Sequence, residues 1–168
     1  MRRLHLLRHA KSSWDDLALR DYDRPLAPRG TRAATRVARW AQEHNVRPQL
    51  VVSSSAVRAR ETLRGVLPGL GEPEVWIEDA LYAASAETLL QNVRALPDKA
   101  EEAMLVGHNP GLGDLLLQLA EPNELRERAE AKVPTGALAT LEADITSWWE
   151  LQPGAARLVA FVVPRELK

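Results

Sequence analysis

Leu4-His5-Leu6-Leu7 leads directly into Arg8-His9-Ala10-Lys11-Ser12. A short apolar run of this kind reads as a buried strand, here one that delivers an arginine and a histidine at its carboxyl end. The same grammar recurs twice. Gln49–Val52 (QLVV) runs into Ser53-Ser54-Ser55 and then Arg58, and Ala103–Val106 (AMLV) runs into Gly107-His108-Asn109-Pro110. In an open α/β sheet, ligands sit outside the carboxyl ends of the strands, so residues placed just after several strands can meet in one crevice. Two histidines and two arginines arriving there suit the capture and transfer of a phosphoryl group.

Outward from these runs, strands alternate with helices. Leu4–Leu7 is a strand, and the segment to about Pro28, rich in Asp, Arg and Pro, is a long loop of the kind that carries function. Pro28 or Arg29 opens a helix to about His44, with Ala33, Ala34, Val37, Ala38, Trp40 and Ala41 at helical spacing. Leu50–Val52 is a strand, and a helix from about Ala56 to Leu67 carries Arg58 until Pro68, Gly69 and Gly71 end it. Val75–Ile77 reads as a short strand and Ser85–Leu96 as a helix. Met104–Val106 is a strand and Leu112–Leu119 an apolar helix, while the charged stretch Glu121–Lys132 fits a solvated loop or helix. Gly136–Leu141 and Leu158–Val163 are two late strands, one of which can run antiparallel. The predicted class is α/β: a three-layer α/β/α sandwich with a mostly parallel central sheet, covered on both faces.

At 168 residues the chain reads as a single domain, residues 1–168, able to bury one core. A formal charge of -1 gives no sign of a nucleic-acid or membrane partner. No apolar run approaches the roughly 20 residues that span a bilayer. The start, Met1-Arg2-Arg3, lacks the apolar region and cleavage site of a secretion signal, so a cytoplasmic location is expected. Cysteine is absent, which removes disulfides, thiolate zinc sites and a cysteine nucleophile. With four histidines and no motif such as His-Glu-x-x-His, neither a metal nor another cofactor is expected.

Arg8-His9-Ala10 after the first strand, Ser54-Ser55-Ala56-Val57-Arg58-Ala59-Arg60-Glu61-Thr62, and the late Gly107-His108 resemble, in order and separation, the hallmarks of the histidine phosphatase superfamily. The Arg-His-Ala-Lys-Ser-Ser-Trp form and the short chain further resemble the SixA-type phosphohistidine phosphatases. That resemblance implies a phosphoglycerate mutase-like fold and a metal-independent phosphatase. It makes His9 the nucleophile, Arg8 and Arg58 the phosphate-gripping forks, and His108 a donor to the phosphoryl oxygens, as neutral ring or cation. Two neighbouring arginines should keep His9 neutral.

Around this core, Ser12 and Lys11 line the pocket or serve only a local turn and solvent, respectively. Arg24 helps hold substrate or belongs to an Asp–Arg network that orders the loop Arg20–Arg24. Asp21-x-Asp23 superficially matches an aspartyl-phosphate or metal motif, but it follows no apolar strand. Candidate general acids are Glu78, Asp79, Asp15 and Asp16, none in a context that singles it out. Without an acid, a phosphohistidine substrate is favoured over an alkyl phosphate, because imidazole leaves as a neutral ring once protonated. His5 is expected to be packed or hydrogen-bonded, His44 to sit at a helix end, and Trp148-Trp149 to be partly buried packing or an exposed docking patch. Thr135 reaches the site only if its loop folds over it. The expected partner is a phosphorylated protein histidine, as on a phosphorelay domain, or a small phosphorylated molecule. The alternatives are a broad small-molecule phosphomonoesterase and a non-catalytic phosphate- or phosphopeptide-binding module. A mutase is disfavoured, since no segment offers a lid.

Overall fold

Each short apolar run becomes a strand of one sheet in the computed structural model, which describes residues Met1–Lys168. The strands are β1 (Arg2–Arg8), β2 (Leu50–Ser54), β3 (Glu74–Glu78), β4 (Glu102–Gly107), β5 (Leu138–Ala143) and β6 (Ala156–Val162). The helices are α1 (Pro28–Glu43), α2 (Val57–Val66), α3 (Ala86–Arg94), α4 (Gly111–Leu119) and α5 (Glu124–Ala131). The sheet order is β3-β2-β4-β1-β5-β6. β1 to β4 pair in parallel, and β5 runs antiparallel to both β1 and β6. The reversed strand of the late pair is therefore β5.

Burial on both faces explains why the strands read as unbroken apolar runs. Leu4 and Leu6 enter a core shared with Leu89, Leu112 and Leu116 of α3 and α4, whereas Leu7 enters the opposite core with Val37 of α1 and Leu63 of α2. Helices thus cover both faces, giving the expected three layers. Pro28 occupies the first turn of α1, where its missing N–H costs nothing. His5 is buried on β1, and its ring nitrogens meet Thr140 Oγ1 at 2.8 Å and Glu102 Oε2 at 2.7 Å. Both contacts offset the cost of burying a polar ring.

The charged stretch after α4 resolves into α5, whose Asn123 cap accepts from the Arg126 amide at 2.8 Å. Only Ala129 of α5 is buried, so almost no apolar stripe betrays it in the sequence. The tryptophan pair divides between the two expectations, one ring buried and the other exposed. Trp148 is enclosed and donates from Nε1 to the Ala100 carbonyl at 2.6 Å, while Trp149 is 69 % exposed. They sit in a 3-10 turn, which rotates successive side chains by about 120° and sends the neighbours to opposite sides. His44 caps the end of α1, its ring stacked on Trp40 at 4.1 Å.

Candidate active site

Strand register brings the three motifs together. β2, β4 and β1 are adjacent, with Arg8 opposite Gly107 and Ser53 opposite Val106. The His9 amide donates to the Gly107 carbonyl at 3.1 Å, which carries the pairing one residue past the strand. Arg8-His9, Ser54 and His108 therefore emerge side by side at the carboxyl edge. Arg58 is the second residue of α2, where amides not yet paired and the helix dipole favour an anion. Arg58 and the two histidines are each under a tenth exposed.

His9 and His108 lie with ring centroids 5.2 Å apart. His9 Nδ1 is 2.8 Å from the Ala10 carbonyl. A carbonyl only accepts, so Nδ1 carries the hydrogen and, in the neutral ring, Nε2 keeps its lone pair. Burial drives the His9 pKa down to about 4, helped by the positive charge of Arg58, Arg8 and Arg24 and opposed by the Ala10 bond. His108 falls to about 3, first through burial and then through the charges of its neighbours. Both rings are thus neutral near pH 7. His108 Nε2 lies 2.7 Å from Ser54 Oγ. Its Nδ1, together with Arg8 Nε and Arg58 Nε, is buried without a protein partner. Buried polar atoms left without a partner are costly unless an anion or solvent meets them.

The rest of the shell is tightly tied. Arg8 Nη1 donates to the Val133 carbonyl at 2.9 Å, and Asn109 Nδ2 donates to the same oxygen at 3.0 Å. The Gly136 amide meets the Arg8 and His9 carbonyls, so the Val133–Gly136 loop does fold against the site's backbone. Thr62 Oγ1 accepts from the Ala10 amide and donates to the Arg58 carbonyl, stitching β1's exit to α2. Arg24 is buried, donates to Ser12 Oγ at 2.7 Å, and lies 3.5 Å from the centroid of the Trp14 ring. The Asp–Arg network around Arg20–Arg24 is present, with Arg20 on Asp23 and Arg24 on Asp21. Its Asp21 also reaches Arg58 at 3.0 Å.

Other candidates stand apart. Lys11, Asp15, Asp16 and Asp79 are exposed, and Glu78 is half-buried at the end of β3. None of the four carboxylates hydrogen-bonds or ion-pairs with Arg8, His9, Arg58 or His108. The histidine phosphatase superfamily (branch 1) model matches residues 4–133. The chain belongs to the histidine phosphatase superfamily.

Among its relatives, the Mycobacterium tuberculosis protein Rv1276c is 36% identical over 163 residues, covering 95% of this chain and 100% of the relative. A candidate phosphohistidine phosphatase SixA from Agrobacterium tumefaciens superposes with a TM-score of 0.83 at 32% identity, over 97% of this chain and 98% of that one. Another, from Nakamurella multipartitia, gives 0.85 at 30% identity, over 97% and 96% of the respective chains. These likenesses place the chain with the SixA-type members and its sheet with the phosphoglycerate mutase-like fold. Family membership supports phosphatase chemistry.

In this histidine phosphatase, several shell residues escaped sequence reasoning. Asp21 joins the site from 37 residues before Arg58. Tyr82 joins it through Asp21, its hydroxyl donating to Asp21 Oδ2 at 2.7 Å and its ring edge-on to His108 at 5.5 Å. The sequence marks Asp21 as part of an Asp–Arg network but not as a partner of Arg58, and nothing local marks Tyr82. Thr62 had a signal, since it closes the Ser-x-x-x-Arg-Ala-x-x-Thr run.

Proposed function

We propose that residues 1–168 form one phosphatase domain that works through a covalent phosphohistidine on His9 and acts on phosphohistidine carried by a protein, such as a phosphorelay domain. The Arg8 and Arg58 guanidiniums hold the phosphoryl oxygens through charge-assisted hydrogen bonds, Arg58 through the edge that Asp21 leaves open. If the Ser54 hydroxyl donates to His108 Nε2, the His108 proton sits on Nδ1, free to donate to a third oxygen. His9 Nε2 attacks phosphorus, its new N–P bond forming as the substrate N–P bond breaks. The departing imidazole leaves neutral, having entered protonated on its other nitrogen. Water then cleaves phospho-His9, releasing orthophosphate and restoring the neutral ring.

One observation carries the choice of substrate. Among the four residues only Arg58 hydrogen-bonds a carboxylate, that of Asp21, whose pKa is lowered to about 2, chiefly by the Tyr82 hydroxyl and then by Arg58. An ionised carboxylate has no proton to give an alkoxide. A leaving group that brings its own proton suits such a site, and sugar phosphates do not.

The test compares a phosphorylated histidine domain, an aryl phosphate and a sugar phosphate. Turnover is expected to be fastest on the domain, slower on the aryl ester and slowest on the sugar phosphate, with an acid-labile phosphoenzyme on acid quench. His9→Ala is expected to abolish that phosphoenzyme and lower turnover by at least about a thousandfold. Preference for the sugar phosphate would identify a small-molecule phosphomonoesterase instead. Orthophosphate binding without hydrolysis of any substrate would leave only a binding module.

A further inference from the structure

Asp21 sits where a phosphatase should tolerate an anion least. Its carboxylate and backbone carbonyl face the cations that are to hold the phosphoryl group. The Asp21 carbonyl accepts from Arg58 Nη1 at 2.7 Å and Oδ2 from Arg58 Nη2 at 3.0 Å. Oδ1 accepts from Arg24 Nε at 3.3 Å and Nη2 at 3.2 Å, and the Tyr82 hydroxyl donates to Oδ2. Four donor atoms thus meet a carboxylate whose side chain is half exposed.

Two consequences follow from this geometry. First, the end-on fork of Arg58 is taken by Asp21, so the edge left for an oxyanion is the one bearing Nε, the atom that is buried and unpaired. Second, three guanidiniums against one carboxylate leave two net positive charges in the site, because His9 and His108 are neutral. A phosphoryl group carries close to two negative charges near neutral pH.

Resting on the phosphatase reading above, we propose that Asp21 is a positioning and charge-matching residue: it aims Arg58 and caps the site's positive charge so that orthophosphate binds loosely enough to leave. Asp21 touches no reacting atom in this scheme and acts through Arg58. Without its charge, the pocket would hold the product anion too tightly and turnover would become limited by release.

Asp21→Asn separates charge from scaffold. The asparagine keeps an acceptor for Arg58 Nη2, and the backbone carbonyl still holds Nη1. Calorimetry with orthophosphate on the full chain is expected to show about tenfold tighter binding in D21N, from Coulomb attraction no longer offset by the carboxylate. KM is expected to fall in parallel and kcat to fall with it. A purely structural role gives the opposite sign, since a disordered Arg58 weakens phosphate binding. Unchanged or weaker binding in D21N overturns the proposal. Tyr82→Phe removes only the hydroxyl and leaves the charge, so its phosphate affinity is expected to stay within about threefold of the parent. A gain in Y82F equal to that of D21N would trace the effect to the tether and also overturn it. A wild-type protein that binds no orthophosphate would sink the phosphatase site itself, whereas normal wild-type binding with no response in D21N sinks only the role given to Asp21.

Discussion

His9 is worth following as a single residue, because its environment sets the pH at which it can act. Burial and three arginines hold its pKa at about 4, so the neutral ring that the proposed attack needs persists well below the range where an ordinary histidine protonates. The acid limb of kcat/KM is therefore expected near pH 4 when His9 titrates alone, and a limb near 6.5 would mean that the ring is exposed or the cations are not in place. Thr62 gives a second test. Thr62→Val keeps the shape but strips the acceptor from the Ala10 amide and the donor from the Arg58 carbonyl, both buried. A loss of about 1–3 kcal/mol in chemical denaturation is expected, with a drop in kcat/KM from the loosened link between His9 and Arg58. His9, Arg8, Arg58 and His108 were legible because each follows an apolar run, closely or within a helical turn. Asp21 and Tyr82 were not, since their importance lies in a contact between loops that neither spacing nor composition encodes.

Secondary-structure elements hold the loop that carries this chemistry. α1 packs its first turn directly on the active-site loop: a Cβ at Gly30 would lie 2.1 Å from the Lys11 carbonyl oxygen. The Ala27 amide donates to that same carbonyl at 2.9 Å, so the helix start and the residues after His9 are joined at one point. Gly30→Ala must push them apart. A stability loss of about 1–3 kcal/mol is expected from the overpacking. Because the displaced strand of loop follows His9, kcat/KM is expected to fall as well, and a G30A protein with native melting temperature and native activity would show that the contact yields freely. The sequence announced α1 clearly, through its alanine and valine spacing and Pro28, yet gave no hint that Gly30 was needed for close approach. Conversely α5 was ambiguous because a helix with one buried residue has little periodicity to read, and β3, a fully paired strand on one side only, is so exposed that Val75–Ile77 alone suggested it.

At the scale of the molecule, the order β2-β4-β1 turns three separate sequence motifs into one crevice, and that convergence concentrates buried, neutral imidazoles beside fixed cations. The class of fold was readable because buried parallel strands must be apolar throughout; the pairing order was not, since nothing local tells β4 to insert between β2 and β1. Such a site has a thermodynamic consequence for the whole fold. His9 and His108 have folded-state pKa values of about 4 and about 3, against 6.5 when exposed. Between pH 6.5 and 4 the unfolded chain binds protons that the folded chain refuses, so stability falls as pH falls through this window. Each such histidine contributes a slope of up to about 1.4 kcal/mol per pH unit, which levels off below its folded pKa. Denaturation midpoints measured from pH 7 to 4 are expected to decline more steeply in the parent protein than in His108→Gln, whose glutamine cannot take up a proton. The comparison rests on slopes, so the lost Ser54 contact, which lowers the variant's stability at every pH, does not enter it. Parallel curves would show that His108 is protonated in the folded protein as readily as in the unfolded chain, and that the cationic crevice does not act on it.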